Sequence, residues 1–449
     1  MTDPVPTGRR RGPFRANPHD REILRLAVPA LGALVAEPLY ILCDTAVVGH
    51  LGTDQLAGLA VASSILLLLY SIFIFLAYGT TSAVARLLGA DDEREAAHQA
   101  VQGMWLALAV GLVLVAVGAV AAPWLVSALG ARGAVAANAL VYLRLSLIGI
   151  PAQLVVLAGT GYLRGLQDTR TPLLVAVGSA VGNLALEVVL IYGLGFGIGA
   201  SALSTVTAQL GSAAVYVWWV RRAVRRHKVR LGPHGPTLGR LAVVGGDLFI
   251  RTVSLRGALV VSTAVATRLG TVALAAHQIA FQIWNLLALA LDAIAIAGQA
   301  MIGRFLGARD EASARRAGRR MLEWGLAAGV VFAGLTMATR TVVPSIFTSD
   351  PAVVALTSFV LIFVAAMQPV NGVVFVLDGL LIGAGDLRYL AVAMLVPSAL
   401  FVVLAFAVLA DGLGIGWLWT ALIVFMVARM AGLGWRWITG GWAVTGATR

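Results

Sequence analysis

Twelve long apolar runs constrain what this chain can become: residues 22–49, 55–87, 95–122, 134–165, 169–192, 198–220, 240–267, 272–304, 311–339, 351–382, 387–410 and 414–437. A hydrocarbon core takes about 20 apolar residues of helix, and more when the helix tilts. Each run is therefore read as one membrane-crossing helix, and the fold as an all-α integral membrane protein. The 449 residues are 59% apolar and 12% charged, where a soluble domain averages about 45–50% and about 25%. Too little polar sequence remains to coat a water-facing surface. For the same reason the net charge of +12 does not signal nucleic acid, which needs basic residues gathered on a folded polar face. The single cysteine, Cys43, excludes an internal disulfide framework and a multi-thiolate metal site, and is read as a small packing residue. Arg9, Arg10 and Arg11 precede an apolar segment with no small-residue cleavage pattern, so the first run is read as a retained helix.

The basic residues orient the helices. With twelve crossings, and with basic residues toward the end of a run, Arg164 and Arg429 among them, assigned to the adjoining loop or tail, 27 of the 33 Lys and Arg fall on the side of the N-terminus, three on the other (Arg132, Arg268, Arg340) and three deep within runs (Arg144, Arg251, Arg256). A miscounted helix would flip every later loop and destroy that split. The positive-inside bias places both termini in the cytoplasm, with the protein in the cell (inner) membrane. The longest polar stretch, Arg221 to Arg240 with Gly232, Pro233, Gly235 and Pro236, reads as a solvated linker. The organisation is then an N-terminal tail (1–21), a first lobe (22–220), a cytoplasmic linker (221–239), a second lobe (240–438) and a C-terminal tail (439–449).

The two lobes are repeats. His50-Leu51-Gly52-Thr53 matches Arg268-Leu269-Gly270-Thr271, Arg86-Leu87-Leu88-Gly89-Ala90 matches Arg304-Phe305-Leu306-Gly307-Ala308, and Gly161, Gly165, Asp168 and Arg170 match Gly379, Gly383, Asp386 and Arg388, always 218 residues apart. Chance similarity would not hold one register across three separated helix ends. Six crossings per repeat bring both halves in from the same side, so their pseudo-twofold axis runs along the membrane normal. The resulting cavity between two bundles is the layout of an alternating-access transporter.

Carboxylates within the runs carry the chemistry, since each costs roughly 2.5–3.5 kcal/mol at mid-bilayer and faces a cavity or a partner. Glu37, Asp44, Glu187, Asp292 and Asp378 lie well inside. Glu37, Tyr40 and Asp44 share one face of the first helix, which Pro29 and Pro38 interrupt as bend points. Asn183 and Glu187 share a face of the fifth, and Thr205 lies on the sixth. None of these partners satisfies a buried carboxylate from within its own helix, so a shared cluster of Asp44, Asn183, Glu187 and Thr205 is expected. Two carboxylates in a poorly solvated site favour holding one proton between them; the same oxygens could surround Na+.

The segments PLYILCDTAVVGHLG (38–52), GYLRGLQDTRTP (161–172) and NLALEVVLIYGLGFGIG (183–199) resemble the hallmark stretches of the multidrug and toxic compound extrusion (MATE) transporters, DinF-type branch. The resemblance implies two six-helix lobes exchanging H+ or Na+ for an organic, often cationic, substrate. It maps the coupling site onto Asp44, Asn183, Glu187 and Thr205, with Tyr40 and Tyr142 in the network, and places the first-helix bend at Pro29. Two positions depart from the pattern: Glu187 stands where the family usually has Asp, and Gln299 where a Glu is common.

In the second lobe Gln278, Gln282, Asn285, Asp292 and Gln299 recur along one run, and Asp378 lies seven residues after Asn371. Asp292, Asp378, Gln278, Gln282 and Asn285 are candidates for a substrate-facing wall, with inter-helix hydrogen bonding as the alternative. Arg251 and Arg256 could neutralise the acids, which would make Asp292 structural. The tryptophans at 417, 419, 435, 437 and 442 read as interfacial anchors. The alternating glycines from Gly193 to Gly199 follow no strand and form no phosphate loop; His277 reads as a packed residue. The expected function is therefore a cation-coupled exporter of organic compounds, not an enzyme. It needs no cofactor beyond the coupling ion, no structural metal and no nucleic acid, and is taken as a monomer in contact with membrane lipid and a small organic substrate. The alternative is a flippase for lipid-linked envelope precursors, which would need Arg144, Arg251 and Arg256 to line the cavity.

Overall fold

The computed structural model describes residues 18–448; Arg9, Arg10, Arg11 and the rest of the tail before Pro18 lie outside the described residues. The long helices are α1 (Pro18–Gly49), α2 (Thr53–Gly89), α3 (Glu93–Ala128), α4 (Gly133–Gly165), α5 (Arg170–Gly193), α6 (Ile198–His227), α7 (Gly235–Arg268), α8 (Thr271–Gly307), α9 (Glu311–Thr339), α10 (Pro351–Gly383), α11 (Leu387–Ala410) and α12 (Ile415–Thr439). Eleven of them, among the described residues, are both long and apolar enough to cross a membrane. The exception to the expected twelve is α6. It has the length, 30 residues, but Ser201, Ser204, Thr205, Thr207 and Gln209 dilute its apolar run and Arg221 to His227 end it in charge.

The 218-residue repeat is written into the backbone. Left-handed conformations recur at Gly52 (φ 133°) and Gly270 (φ 118°), and at Asp91 (φ 60°) and Arg309 (φ 59°). Asp92 and Asp310 cap α3 and α9 by accepting from the backbone N–H of Glu95 and Ser313, each at 2.9 Å. Helix pairing repeats as well: α4 packs on α2, α3 and α6 as α10 packs on α8, α9 and α12. So do the close approaches, for a Cβ added to Gly161 would lie 2.5 Å from the Ala77 carbonyl oxygen, and one on Gly379 would lie 2.5 Å from that of Ala295.

The lobes meet where α2 crosses α8. Gly89 abuts the backbone carbonyl of Arg304, Gly307 abuts that of Arg86, and neither has room for a Cβ. The two contacts exchange under the 218-residue shift, so the pseudo-twofold axis passes between them. Around it, Arg86 donates to the carbonyls of Ala384 (2.9 Å) and Val444 (2.6 Å), while Arg304 donates to Gln167 (2.8 Å) and Glu22 (2.7 Å). Asp20, at the start of α1, holds Arg320 of α9 through both oxygens, at 2.6 and 2.9 Å. This basic end of the molecule is sealed. Gly307→Ala is expected to force the two backbones apart and lower stability by about 1–3 kcal/mol. Gly434→Ala, where a Cβ meets open space, serves as the control in a thermal unfolding series.

Two expectations change here, and a third gains a detail. Linker residues 230–236 are exposed, as a solvated loop should be, but α6 continues to His227 and hydrogen bonds tie the loop that follows to α3. Trp105 donates to the Leu231 carbonyl (2.7 Å), and Gln102 donates to Gly232 (3.0 Å) while accepting from the His234 N–H (2.8 Å); a wholly buried amide such as Gln102 needs such partners. Of the tryptophans, Trp417 and Trp435 are exposed as anchors should be, but Trp419 and Trp442 are enclosed, the latter stacked on Trp437 at 4.5 Å. Cys43 is exposed rather than packed.

Candidate functional site

A cavity of about 310 Å³ opens beside α1. The three-and-four-residue spacing of Glu37, Tyr40 and Asp44 brings all of them to its wall, where they meet Tyr142 and Ser146 of α4, Asn183 of α5 and Thr205 of α6. Pro29 and Pro38 lie inside α1, which continues through both as one helix.

Asp44 of this wall is 4% exposed, and Glu187, which is not part of the lining, is 0% exposed. Ser201 donates from Oγ to Asp44 Oδ1 at 2.6 Å. The Tyr40 hydroxyl and Thr205 Oγ1 are 2.9 Å apart, and Asn183 Nδ2 donates to Thr205 Oγ1 at 3.2 Å. Both carboxylate oxygens of Glu187 and Oδ1 of Asn183 are enclosed without a hydrogen-bond partner. An uncompensated carboxylate taken out of water costs several kcal/mol. A proton on Glu187, or a hard cation held by the oxygen atoms of Glu187, Asn183 and Asp44, would complete the site. Ser201 was not singled out from the sequence, although its place four residues before Thr205 put it on the same helical face.

Local backbone geometry distinguishes this half from its copy. α5 ends in a π-turn, Val189–Gly193, which begins two residues after Glu187, whereas α11 is α-helical throughout. The turn absorbs one extra residue: the repeat offset falls from 218 before it to 217 after it, where α6 starts at Ile198 and α12 at Ile415. π-turns of this kind cluster at functional sites. The second-lobe counterparts of Asp44, Asn183, Glu187, Ser201 and Thr205 are Ser262, Phe401, Ala405, Leu418 and Leu422, all wholly buried. One repeat holds the polar cluster, and the other fills the same space with core.

The second lobe contributes Asp292 and Ile296 of α8 to the cavity. Gln278, Gln282 and Asn285 are exposed and lie outside this lining, so the expected amide wall does not form there. Asp378 is also outside it, because two guanidinium groups enclose its carboxylate: Arg251 donates to Oδ2 at 2.8 Å, and Arg429 of α12 donates to the same oxygen. Arg251 thus pairs directly with Asp378, while its charge also acts on Asp292 without contact. In sequence Arg429 reads as one of the C-terminal basic residues, and only the fold shows that its side chain turns inward. His277 is packed, with Phe281 and Trp419 at 5.8 and 5.5 Å between ring centres.

A family profile described as MatE matches residues 29–192 and again 251–407, once in each lobe. The chain is 33% identical to "Protein DETOXIFICATION 44, chloroplastic" of Arabidopsis thaliana, covering 92% of this chain and 81% of that one. It is 28% identical to "DNA damage-inducible protein F" of Escherichia coli (strain K12), covering 94% of both, and 28% identical to a "Probable multidrug resistance protein NorM" of Rhizobium meliloti (strain 1021), covering 93% of both. Its fold superposes on a crystal structure of MATE in the bent conformation with a TM-score of 0.86 at 22% identity, over 95% of this chain and 96% of the other. With two copies of the family signature on a duplicated twelve-helix frame, this multi-pass membrane protein belongs to the MATE family of efflux transporters.

Proposed function

We infer that the chain is an antiporter that exports organic compounds by alternating access, driven by H+ or Na+ bound at Asp44, Asn183, Glu187 and Thr205 with Tyr40 and Tyr142 beside them. The observation that carries this reading is Glu187: a fully buried carboxylate with no donor, in the lobe that owns the cavity. Loading it from outside removes the penalty of a bare buried charge and lets α1 bend near Pro29 and Pro38, shrinking the cavity and releasing substrate. Substrate entering from inside favours unloading. A hundredfold gradient represents about 2.7 kcal/mol, which one proton crossing a two-unit pH difference supplies. The distribution of basic residues supports a cell-membrane location with both termini and the sealed Gly89–Gly307 end in the cytoplasm. Arg144, Arg251 and Arg256, on which the flippase alternative rested, all lie outside the cavity lining, and the one arginine in it is Arg164.

Reconstitution in liposomes with H+ and Na+ gradients imposed separately tests the reading through efflux of fluorescent organic cations. One of the two gradients is expected to accelerate efflux. Rates indifferent to both would overturn it.

A further inference from the structure

Two charges of opposite sign line the cavity without a direct hydrogen-bond or ion-pair partner among the described residues. Arg164, near the end of α4, is 7% exposed and lines the cavity. Its Nε is enclosed without a partner, and among the described residues no hydrogen bond or ion pair meets its guanidinium. Asp292 of α8 lines the same cavity from the other lobe, also without a hydrogen bond or ion pair among the described residues. The contrast with Asp378 is instructive, because there the fold supplies two guanidinium groups to one carboxylate. Arg164 and Asp292 interact electrostatically with each other, and Asp292 also with Arg251 and Arg256, but among the described residues no side chain bonds directly to either, although intramembrane charges ordinarily face a partner or a substrate path.

Packing does not require the arginine. The repeat preserves the neighbours of Arg164 (Gly161 and Gly379, Gly165 and Gly383, Asp168 and Asp386), yet the counterpart of Arg164 itself is Ile382, 2% exposed. An apolar side chain therefore closes the same helix end in the other lobe. Nor does Arg164 reach out to water at the helix terminus, since it is buried. Next to it the cavity wall is polar: Thr160 donates to the Tyr216 hydroxyl at 2.9 Å, and both residues line the cavity with Gln153 and Ser212. A planar guanidinium with free donors binds a carboxylate or similar oxyanion in a fork.

We propose that the cavity takes amphoteric organic molecules, seating an acidic group on Arg164 and a basic group on Asp292. This rests on the export reading for its consequence, but the seat itself is a binding property. Guanidinium and carboxylate on opposite lobes grip the two ends of one molecule, so a substrate bearing both charges links the lobes, and one bearing only a cation engages Asp292 alone.

The test is equilibrium binding to the full chain in lipid nanodiscs, read by fluorescence anisotropy, with rhodamine B and its ethyl ester as probes. The two dyes share a cationic xanthene and differ in the free carboxylate. The wild type is expected to bind the acid about tenfold more tightly than the ester, the worth of a hydrogen bond to a charged group. Arg164→Gln is expected to bring that ratio to about one while leaving ester affinity within about twofold. Asp292→Asn should weaken both dyes alike and keep the ratio. A wild-type ratio at or below one, or a preference that survives Arg164→Gln, overturns the proposal. The wild-type ratio decides even if a variant fails to fold. No gradient is present, so failure here leaves the export reading standing, and failure of coupled efflux leaves the acid-to-ester ratio untouched.

Discussion

An Asp44→Asn carrier is expected to bind substrate and lose export against a gradient. Asp44 is buried on α1, is held by Ser201, and belongs with Glu187 to the cluster proposed to bind the coupling ion. Moving a two-state carrier from mostly one conformation to mostly the other takes about 5.5 kcal/mol of differential binding. A surface charge falls far short of that, at about 0–1 kcal/mol per ion pair; a carboxylate stripped of water is in the right range, at several kcal/mol. Asparagine keeps the shape and removes the charge, so the coupling ion loses its hold while the cavity stays intact. Uphill efflux from energised liposomes should fall to the level of empty vesicles, and dye binding should persist. Uphill export at the wild-type rate would sink the coupling assignment. Glu37→Gln, at a more exposed carboxylate in the same wall, is expected to do less.

The second large effect concerns stability and not transport. Asp378→Ala should destabilise the protein by about 3–5 kcal/mol, because it strands Arg251 and Arg429 in the core without their shared anion. Both arginines are nearly inaccessible, at 7% and 3% exposure, so water cannot replace the carboxylate. Replacing all three residues with leucine is expected to recover much of the loss, since buried ion clusters often exchange for apolar packing at little net cost. Thermal unfolding in detergent reads both variants. The fraction of Asp378→Ala protein that does fold should still bind dye normally, because Asp378 does not line the cavity; a selective loss of binding at unchanged melting temperature would return it to the substrate wall.

Much of this architecture was legible because lipid imposes a simple rule on sequence. Helix positions, the duplication and its 218-residue register followed from apolar runs and repeated helix ends, and the structure repeats that register down to individual φ angles. The first-lobe cluster was legible too, since carboxylates are rare in such runs and helical spacing shows which of them share a face. Spacing within single helices could not show which faces meet. Asp378 looked like a partner of Asp292 in a substrate wall until α7 and α12 brought Arg251 and Arg429 against it. Arg164 and Arg429 were counted with flanking basic residues because sequence gives a residue's level along the helix only roughly, and a long side chain can turn inward or outward from there. The Ser and Thr residues that dilute the apolar run of α6 include those that supply the first-lobe cluster with its hydroxyls, Ser201 and Thr205.

The reciprocal contact of Gly89 and Gly307 gives the molecule a fulcrum made of main chain. Side-chain substitutions elsewhere leave it in place, and its two sides are equivalent main-chain contacts. The weight, however, is all in one pan: the buried carboxylates and hydroxyls sit in the first lobe, while the same positions in the second are plugged with Phe401, Leu418 and Leu422. Duplication thus furnished a polar half and an apolar counterweight from a single blueprint. A mutational survey of matched positions should accordingly separate into two phenotypes, with altered turnover when the first copy is changed and altered yield when the second is.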